Sequence, residues 1–201
     1  MFVSMKNQLF LMIFFVEFLS SCTTPKTEKP NKEIAFINEN FFSLIDTSVV
    51  YPYRSFFGSF DDFGVTTRDS LAVSVWHELK SMQEHVNYLP RVFIENKLEK
   101  YLSVFEDTIL KQNNSTLDLK KITNTDLIRL VSRNKYLKKM LVPGTVGDIV
   151  FYRVLFDKHN KYAMTLIYNW TGPKSAVLWL FLFEHQNGKW KVILQRALEK
   201  S

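Results

Sequence analysis

Residues Ser175–Glu184 read Ser-Ala-Val-Leu-Trp-Leu-Phe-Leu-Phe-Glu, and this stretch decides how the last third of the chain folds. It is an apolar run of strand length, and the turn sequence His185–Gly188 with its Asn-Gly dipeptide follows directly. Three further strand-like runs flank it, over Asp148–Phe156, Lys161–Trp170 and Lys189–Gln195. Because only short turn sequences separate the four runs, consecutive strands must be antiparallel neighbours, and the pattern predicts a meander.

The run Ser175–Glu184 is apolar on both of its faces. An antiparallel strand with one wet face would alternate apolar and polar residues, so both sides of this strand must be covered. Helices can cover one side. The other side needs the chain's own aromatic loop over Val49–Gly64, a strongly curled sheet, a bound apolar ligand or a partner chain. If the sheet encloses a ligand pocket or forms an interface, the candidate contact residues are Tyr168, Trp170, Trp179 and Phe181.

The part of the chain before the meander is predicted to be mainly helical. Apolar residues at helical spacing predict helices over Ile34–Ile45, Thr67–His85 and Leu98–Ile109, the second of which begins with a capping threonine. Leu89–Ile94 fits a strand as well as the start of a helix, and Leu127–Val131 predicts a further strand. The order of elements predicts an α+β domain, in which N-terminal helices pack on a C-terminal meander sheet of four to five antiparallel strands.

The N-terminus combines a positive charge, a short apolar stretch and the single cysteine of the chain. Lys6 precedes the apolar stretch Leu9–Val16, which is too short to span a membrane, since a spanning helix needs about 20 apolar residues. The sequence Leu19-Ser20-Ser21-Cys22 then resembles a lipobox, in which an aliphatic residue and two small residues precede the cysteine that receives lipid. Glu17 departs from this pattern, because a charge within the apolar region is unusual.

The signal divides the chain into three predicted parts. Residues 1–21 form a signal peptide, residues 22–32 comprise the lipidated Cys22 and a polar, proline-containing flexible tether, and residues 33–201 form a single α+β domain. Each buried CH₂ of an acyl chain contributes about 0.8 kcal/mol, so that two or three chains anchor a protein stably. The predicted location is the cell envelope, where the protein is held on a membrane outside the cytoplasm and faces the periplasm or the surface.

Several short motifs in the meander occur in a fixed order. Tyr152–Asp157 reads Tyr-Arg-Val-Leu-Phe-Asp, Ala163 and Gly172 follow, and Asn187–Lys191 reads Asn-Gly-Lys-Trp-Lys. In this order they resemble a group of uncharacterised secreted proteins and lipoproteins of bacteria. The resemblance implies an extracytoplasmic α+β domain and no particular activity. Tyr152 stands where serine is usual, and the two cysteines that some relatives carry around the glycine turn are absent here.

Composition and motifs predict no metal site, no cofactor and no catalytic residue. The single Cys excludes a disulfide framework and a cysteine-based zinc site. His77 and His85 would lie about 12 Å apart along the predicted helix, which is too far for one metal ion to bridge. The sequence has no phosphate-binding glycine loop, and no Ser has a Gly-x-Ser-x-Gly context. His159 and His185 are interpreted as ordinary turn residues.

The positive charge is concentrated in one segment. Between Lys111 and Lys139 lie eight Lys and Arg residues against two Asp, an excess as large as the net charge of +6 of the whole chain. An exposed cluster of this kind attracts anionic headgroups or an acidic partner, although it is also typical of a solvated face that promotes solubility. Nucleic acid is not expected, because the compartment is wrong and no stacking aromatics interleave with the charges. The candidate anion-contact residues are Lys120, Lys121, Arg129, Arg133, Lys138 and Lys139.

These features predict a membrane-anchored extracytoplasmic lipoprotein that acts as a binding or interaction module. Its expected partners are the membrane, through the lipid anchor, and either a protein or a small apolar ligand. The alternative is a pocket protein in which the curled sheet encloses a small ligand, with or without hydrolytic activity. A purely structural envelope protein is a third hypothesis.

Overall fold

The computed structural model describes residues 31–45, 71–107, 113–123, 125, 128–133, 145, 147–172 and 175–200. Cys22 and the signal peptide lie outside these residues, as do the aromatic loop over Val49–Gly64, Lys138 and Lys139. Asn31–Ser201 forms one compact unit.

Two short helices begin the described chain, α1 (Lys32–Glu39) and α2 (Phe41–Ile45). The helix predicted for this segment is therefore confirmed, with an interruption at Asn40. Asn31 caps α1, because its side-chain oxygen accepts a hydrogen bond from the backbone N–H of Glu33 at 3.0 Å. Asn31 and Lys32, which we assigned to the tether, thus belong to the fold.

The remaining helical segments are α3 (Leu89–Glu95) and two 3₁₀ helices, Glu99–Asp107 and Leu119–Lys121. The ambiguous segment after His85 is thus helical, and Pro90 is tolerated because it lies in the first turn, where its missing N–H is not needed. In the described part of Leu98–Ile109, the predicted helix is present as the 3₁₀ helix Glu99–Asp107.

The strands occur in two sheets among the described residues. The larger sheet has seven strands in the order β4-β1-β5-β7-β8-β9, with β6 paired beside β7, and the smaller sheet pairs β2 with β3. The strands are β1 (Leu71–Trp76), β2 (Glu78–Leu79), β3 (Ser115–Thr116), β4 (Ile128–Arg133), β5 (Asp148–Phe151), β6 (Leu155–Phe156), β7 (Tyr162–Gly172), β8 (Ser175–Gln186) and β9 (Lys189–Lys200).

The predicted meander is confirmed, since β5 and β6 both pair with β7, β7 with β8 and β8 with β9, all in antiparallel fashion. Asn187 and Gly188 form the last turn with φ angles of 51° and 76°, the left-handed pair that a tight hairpin turn requires. The sheet is nevertheless larger than predicted and mixed, because β1 pairs in parallel with both β4 and β5. The fold is a mixed α+β domain.

The helix predicted over Thr67–His85 is wrong for the described part of that segment. Leu71–Trp76 is the strand β1, which lies between two other strands, and β2 follows after one residue. The apolar residues Leu71, Val75 and Leu79 are spaced by four, and a spacing of four keeps residues on one face of a strand as well as of a helix. The β-branched Val73 and Val75, both fully buried, favour the strand.

The two faces of the large sheet carry two separate hydrophobic clusters. We call face 1 the face of the sheet on which the side chains of Asp148, Trp170 and Leu178 lie, and face 2 the opposite face, with Ile149 and Val177. Every other strand residue is assigned to a face from its pairing partner and from the alternation of side chains along the strand. On face 1, the cluster joins α3 and the first 3₁₀ helix to the sheet. On face 2, the cluster joins α1 and α2 to the sheet. The doubly apolar strand β8 is therefore covered on both sides by the protein's own helices.

Phe36 shows how closely the helices pack on face 2. Its ring contacts those of Phe156, Phe183 and Trp190 edge-on, with centroids 5.0–5.5 Å apart. Burial of one such side chain contributes about 1.5–3 kcal/mol.

Candidate functional site

A row of polar and aromatic side chains crosses face 1 beyond the part that the helices cover. Ser74 lies opposite Asp148 in the parallel pair β1–β5, and Asp148 lies opposite Trp170 in the antiparallel pair β5–β7. Trp76 is two residues from Ser74 in β1, and Tyr168 is two residues from Trp170 in β7. Because alternate residues of a strand share a face, both also lie on face 1, in the neighbouring row. We call this set the aromatic-polar patch: Ser74, Trp76, Arg133, Asp148, Tyr168 and Trp170.

A buried ion pair forms the floor of the patch. Arg133 Nη1 donates a hydrogen bond to Asp148 Oδ2, and both side chains are less than one-tenth exposed. The Arg133 guanidinium also lies 5.6 Å from the centre of the Trp170 ring, in cation–π contact. Burial lowers the pKa of Arg133, but a guanidinium stays protonated in proteins, so the pair is a cation facing an anion.

Two buried oxygens beside this ion pair lack hydrogen-bond partners. Neither Asp148 Oδ1 nor Ser74 Oγ has one among the described residues, although both atoms are fully buried. Buried polar groups are nearly always hydrogen-bonded, because leaving one unsatisfied costs about 1–3 kcal/mol. Among the described residues, His77, His85 and Asn169 also carry buried side-chain atoms without a hydrogen-bond partner.

The aromatic rings of the patch are partly open to solvent. Tyr168 is 37% exposed, and Trp76 and Trp170 are of intermediate exposure. Within the described chain, none of the three packs against either hydrophobic cluster. These rings are therefore not explained as core residues.

A second polar group, the His85 cluster of His85, Tyr88 and Tyr152, lies between the patch and the helices. His85 is buried, its Nδ1 lies 2.9 Å from the Tyr88 hydroxyl, and its ring meets that of Tyr152 edge-on at 5.1 Å. Its Nε2 is buried without a hydrogen-bond partner in the part of the chain that the structure describes.

The environment of the His85 cluster shifts the pKa values of all three members. Burial lowers the pKa of His85 despite the opposing negative charges of Glu199 and Glu84. Burial also raises the pKa of Tyr88 and brings that of Tyr152 to about 12. At neutral pH the cluster therefore consists of a neutral imidazole between two neutral phenols.

The structure separates the four residues predicted to line a pocket or interface. Tyr168 and Trp170 lie together on face 1, but Trp179 and Phe181 lie on face 2, because β8 pairs Trp179 with Ile167 and Phe181 with Thr165. Phe181 is fully buried, and Trp179 packs against the face 2 cluster. The four residues therefore do not line one common site.

The predicted basic segment is also divided. Lys120 and Lys121 are exposed in a 3₁₀ helix, and Arg129 is exposed on β4. Arg133, by contrast, is buried and paired with Asp148, so it does not belong to an exposed anion-contact surface.

Sequence reasoning missed Ser74, Trp76, Asp148 and His85. Ser74 and Trp76 lie in the segment that was wrongly predicted as a helix, and their spacing did not place them on a common helix face with other candidate site residues. Asp148 begins an apolar strand run, and a carboxylate in that position is a weak signal of a buried partner. The partner, Arg133, could not be identified without knowledge of the parallel pairing that places β4 near β5 through β1.

A surface cleft of about 370 Å³ lies elsewhere, lined by Lys32, Glu106, Phe156, Asp157, Lys158 and Asn160. Three of its polar side chains already make hydrogen bonds. Lys32 Nζ donates to the Asn160 side-chain oxygen, and Asp157 Oδ1 accepts the backbone N–H of Tyr162 at 2.8 Å. None of the residues predicted to line a pocket is part of this cleft, and we regard it as the weaker candidate.

No group of three or more His, Cys, Asp or Glu in the described residues could hold a metal ion. None of the helices described here is long and apolar enough to cross a membrane.

Comparison of the chain with protein-family models, with curated proteins and with solved structures returns no match.

Proposed function

We propose that this protein is a lipoprotein, anchored outside the cytoplasm through Cys22, whose folded domain is a binding module. The lipobox-like sequence Leu19–Cys22 and the short apolar leader support the anchor. Ten residues separate Cys22 from the start of the predicted domain at Glu33. A chain of that length reaches about 30 Å when extended, which lets the domain act clear of the headgroups.

The binding surface that we propose is the aromatic-polar patch. The observation that carries this proposal is the group of three partly exposed Trp and Tyr rings, none of which packs against either hydrophobic cluster in the described chain. Aromatic side chains around a few placed polar groups are typical of ligand sites.

The apolar residues of β8 are no reason to expect a partner chain. Leu180 and Leu182 of β8 are covered by the helices of face 1, and Phe183 is covered by α1 on face 2. The patch is therefore a better candidate for a binding surface than an apolar interface of the sheet.

Contact with anionic headgroups is a second role that the structure favours for part of the basic segment. Lys120, Lys121 and Arg129 are all exposed. Each basic residue near an anionic membrane contributes about 1 kcal/mol, so that such contacts would add to the lipid anchor.

The anchor is tested by the variant Cys22→Ala in the native host. We expect this variant to take up no labelled palmitate and to leave the membrane fraction, because Cys22 is the only cysteine of the chain. Asp148→Asn is the matched control and should be labelled and fractionate like the wild type. Labelling of the Cys22→Ala protein, or its full retention in the membrane fraction, would overturn the anchor.

A further inference from the structure

We propose that the surface cleft beside Lys32 binds a zwitterionic phospholipid headgroup, one that carries both a phosphate and a primary ammonium group. The cleft is a second site, and its lining residues are not those of the aromatic-polar patch. The inference rests on the proposed anchor at Cys22, because the anchor brings such headgroups to the cleft. It follows from the position of the cleft and from the charges that line it.

The cleft lies where the chain from Cys22 enters the fold. Lys32 is the first residue of α1 and lines the cleft, and nine residues separate it from Cys22. A stretch of that length reaches at most about 30 Å, so headgroups of the anchoring membrane lie within reach. The tether holds them at a high effective concentration, and weak contacts are then sufficient to fill the cleft. Its volume of about 370 Å³ is adequate for a small ligand.

Two lysines provide the positive charge of the cleft. The Lys32 ammonium lies 3.5 Å from the centre of the Phe156 ring and donates to the side-chain oxygen of Asn160, two contacts that hold it at the cleft. Lys158 is exposed in the turn between β6 and β7. Lysine binds phosphate as a point charge, so Lys158 is the expected phosphate contact and Lys32 adds its charge from the wall of the cleft.

Two carboxylates line the same cleft. Glu106 is exposed near the end of the 3₁₀ helix Glu99–Asp107. Asp157 Oδ1 accepts the backbone N–H groups of Lys161 and Tyr162 at 2.6 Å and 2.8 Å, which fixes the Asp157 carboxylate in place. A primary ammonium donates up to three hydrogen bonds and a carboxylate only accepts them. Glu106 is therefore the expected ammonium contact, and Asp157 adds its negative charge.

The balance of these charges disfavours a ligand with one charge only. The two carboxylates of the cleft would repel a simple anion, and the two lysines would repel a simple cation. The nearest further charges are paired with each other, since Lys161 Nζ lies 3.9 Å from Glu184 and Arg153 Nη2 lies 2.9 Å from Glu33. A zwitterion can place each of its charges beside the opposite charge of the protein.

The test is a phosphorus NMR titration of the headgroup probe glycerophosphoethanolamine with the full chain, held in a phosphate-free nonionic detergent. We expect the wild type to shift and broaden the phosphate resonance. Lys158→Ala and Glu106→Gln should each weaken the binding about two- to fivefold, the effect of losing one solvent-exposed ion pair.

The matched controls are Glu99→Gln and Lys200→Ala. Glu99 begins the same 3₁₀ helix that carries Glu106, and Lys200 ends β9. Both are exposed and neither lines the cleft, so both variants should bind the probe as the wild type does.

Other ligands separate the headgroup from other sources of the same charges. Glycerol phosphate has no ammonium group, and glycerophosphocholine has a quaternary one that donates no hydrogen bond. Alanine is a free zwitterion without phosphate and is measured by competition with glycerophosphoethanolamine. We expect all three to bind more weakly than glycerophosphoethanolamine, because each lacks one of the contacts that the cleft offers.

The inference is overturned if the wild type leaves the resonance of glycerophosphoethanolamine unchanged, or if any of the other three ligands binds equally well. It is also overturned if Lys158→Ala and Glu106→Gln both bind as the wild type does, which would place the site elsewhere. These outcomes leave the anchor intact, because palmitate labelling at Cys22 is measured independently. Absence of labelling with retained probe binding would instead refute the anchor, while the charge selectivity of the cleft stands.

Discussion

Two buried arginine–carboxylate pairs differ in how completely their hydrogen bonds are satisfied. Glu33 of α1 accepts from Arg153 Nε at 3.0 Å and from the backbone N–H of Val154 at 2.8 Å, and Arg153 Nη1 donates to the Asn113 carbonyl at 2.7 Å. This pair attaches the first helix to the strand region. A buried network with its partners in place stabilises one arrangement of the chain.

In the pair of Arg133 and Asp148, not every hydrogen-bonding atom has a partner. One carboxylate oxygen of Asp148 has no partner among the described residues, and neither does the hydroxyl of its neighbour Ser74. The comparison teaches that ion pairing alone does not identify a function. The unsatisfied atoms beside the second pair make it the less complete of the two contacts.

The largest effect is expected from loss of the first pair. Glu33→Ala should lower the free energy of unfolding by about 3–5 kcal/mol, because it leaves Arg153 buried without its carboxylate. Urea denaturation of the full-length wild type and variant measures this difference in the free energy of unfolding. Glu39→Ala, at an exposed position of the same helix, should change the stability by less than about 1 kcal/mol. If Glu33→Ala has an equally small effect, the pair is not a structural contact.

A smaller effect is expected from Asp148→Asn, a substitution that keeps the shape of the side chain. It should lower the free energy of unfolding by about 1–3 kcal/mol, since one charged hydrogen bond is weakened. Glu33→Gln is the matched substitution and should cost more, because Glu33 accepts from several donors. The two variants are compared in the same urea titration. Equal losses of unfolding free energy in Asp148→Asn and Glu33→Gln would show that the two ion pairs do not differ in how much their hydrogen bonds stabilise the fold.

The smallest effect concerns His85, which lies on face 1 close to the patch. Burial lowers its pKa below the ordinary value of 6.5, so the folded protein favours the neutral ring. This contribution to stability is fully present above pH 6.5 and is lost as the pH falls through the lowered pKa, because the unfolded chain binds the proton more readily. Glu84, Glu199 and Lys80 are the charged groups that act on the ring.

The measurement is the urea midpoint of the wild type and of His85→Gln as the pH is lowered from neutrality to mildly acidic values. The wild type should lose more stability than the variant over this range. His159→Gln changes an exposed turn residue and should lose as much as the wild type. Parallel curves for the wild type and His85→Gln would show that the buried ring does not titrate with folding.

The meander was predictable because its information is local. Each strand run is bounded by a short turn, and Asn187-Gly188 adopts the left-handed angles that its residue types favour. The helix over Thr67–His85 was predicted wrongly because residues four apart share a face in both a helix and a strand. Pairing with the neighbours β4 and β5 adds to the β-branched Val73 and Val75 in selecting the strand for Leu71–Trp76.

The candidate site was predictable only in part. Tyr168 and Trp170 were expected at a binding surface and Arg133 was noted for its charge, but nothing in the sequence connected the three. Trp179 and Phe181 were grouped with them by composition, although the pleat of β8 places both on the opposite face of the sheet. The register of a strand against its neighbours is a long-range property that a single sequence does not display.

The sequence by itself determined the order of the C-terminal strands, the antiparallel direction of their pairing and the α1 segment, because turn residues and apolar spacing act over a few neighbouring positions. It also carries the lipobox-like signal on which the proposed anchor depends. The tertiary structure alone decided that β1 and β4 extend the sheet in parallel and that Ser74, Asp148 and Trp170 form one row. Residues that are up to 96 positions apart meet there, and only the packing of the whole sheet brings them together.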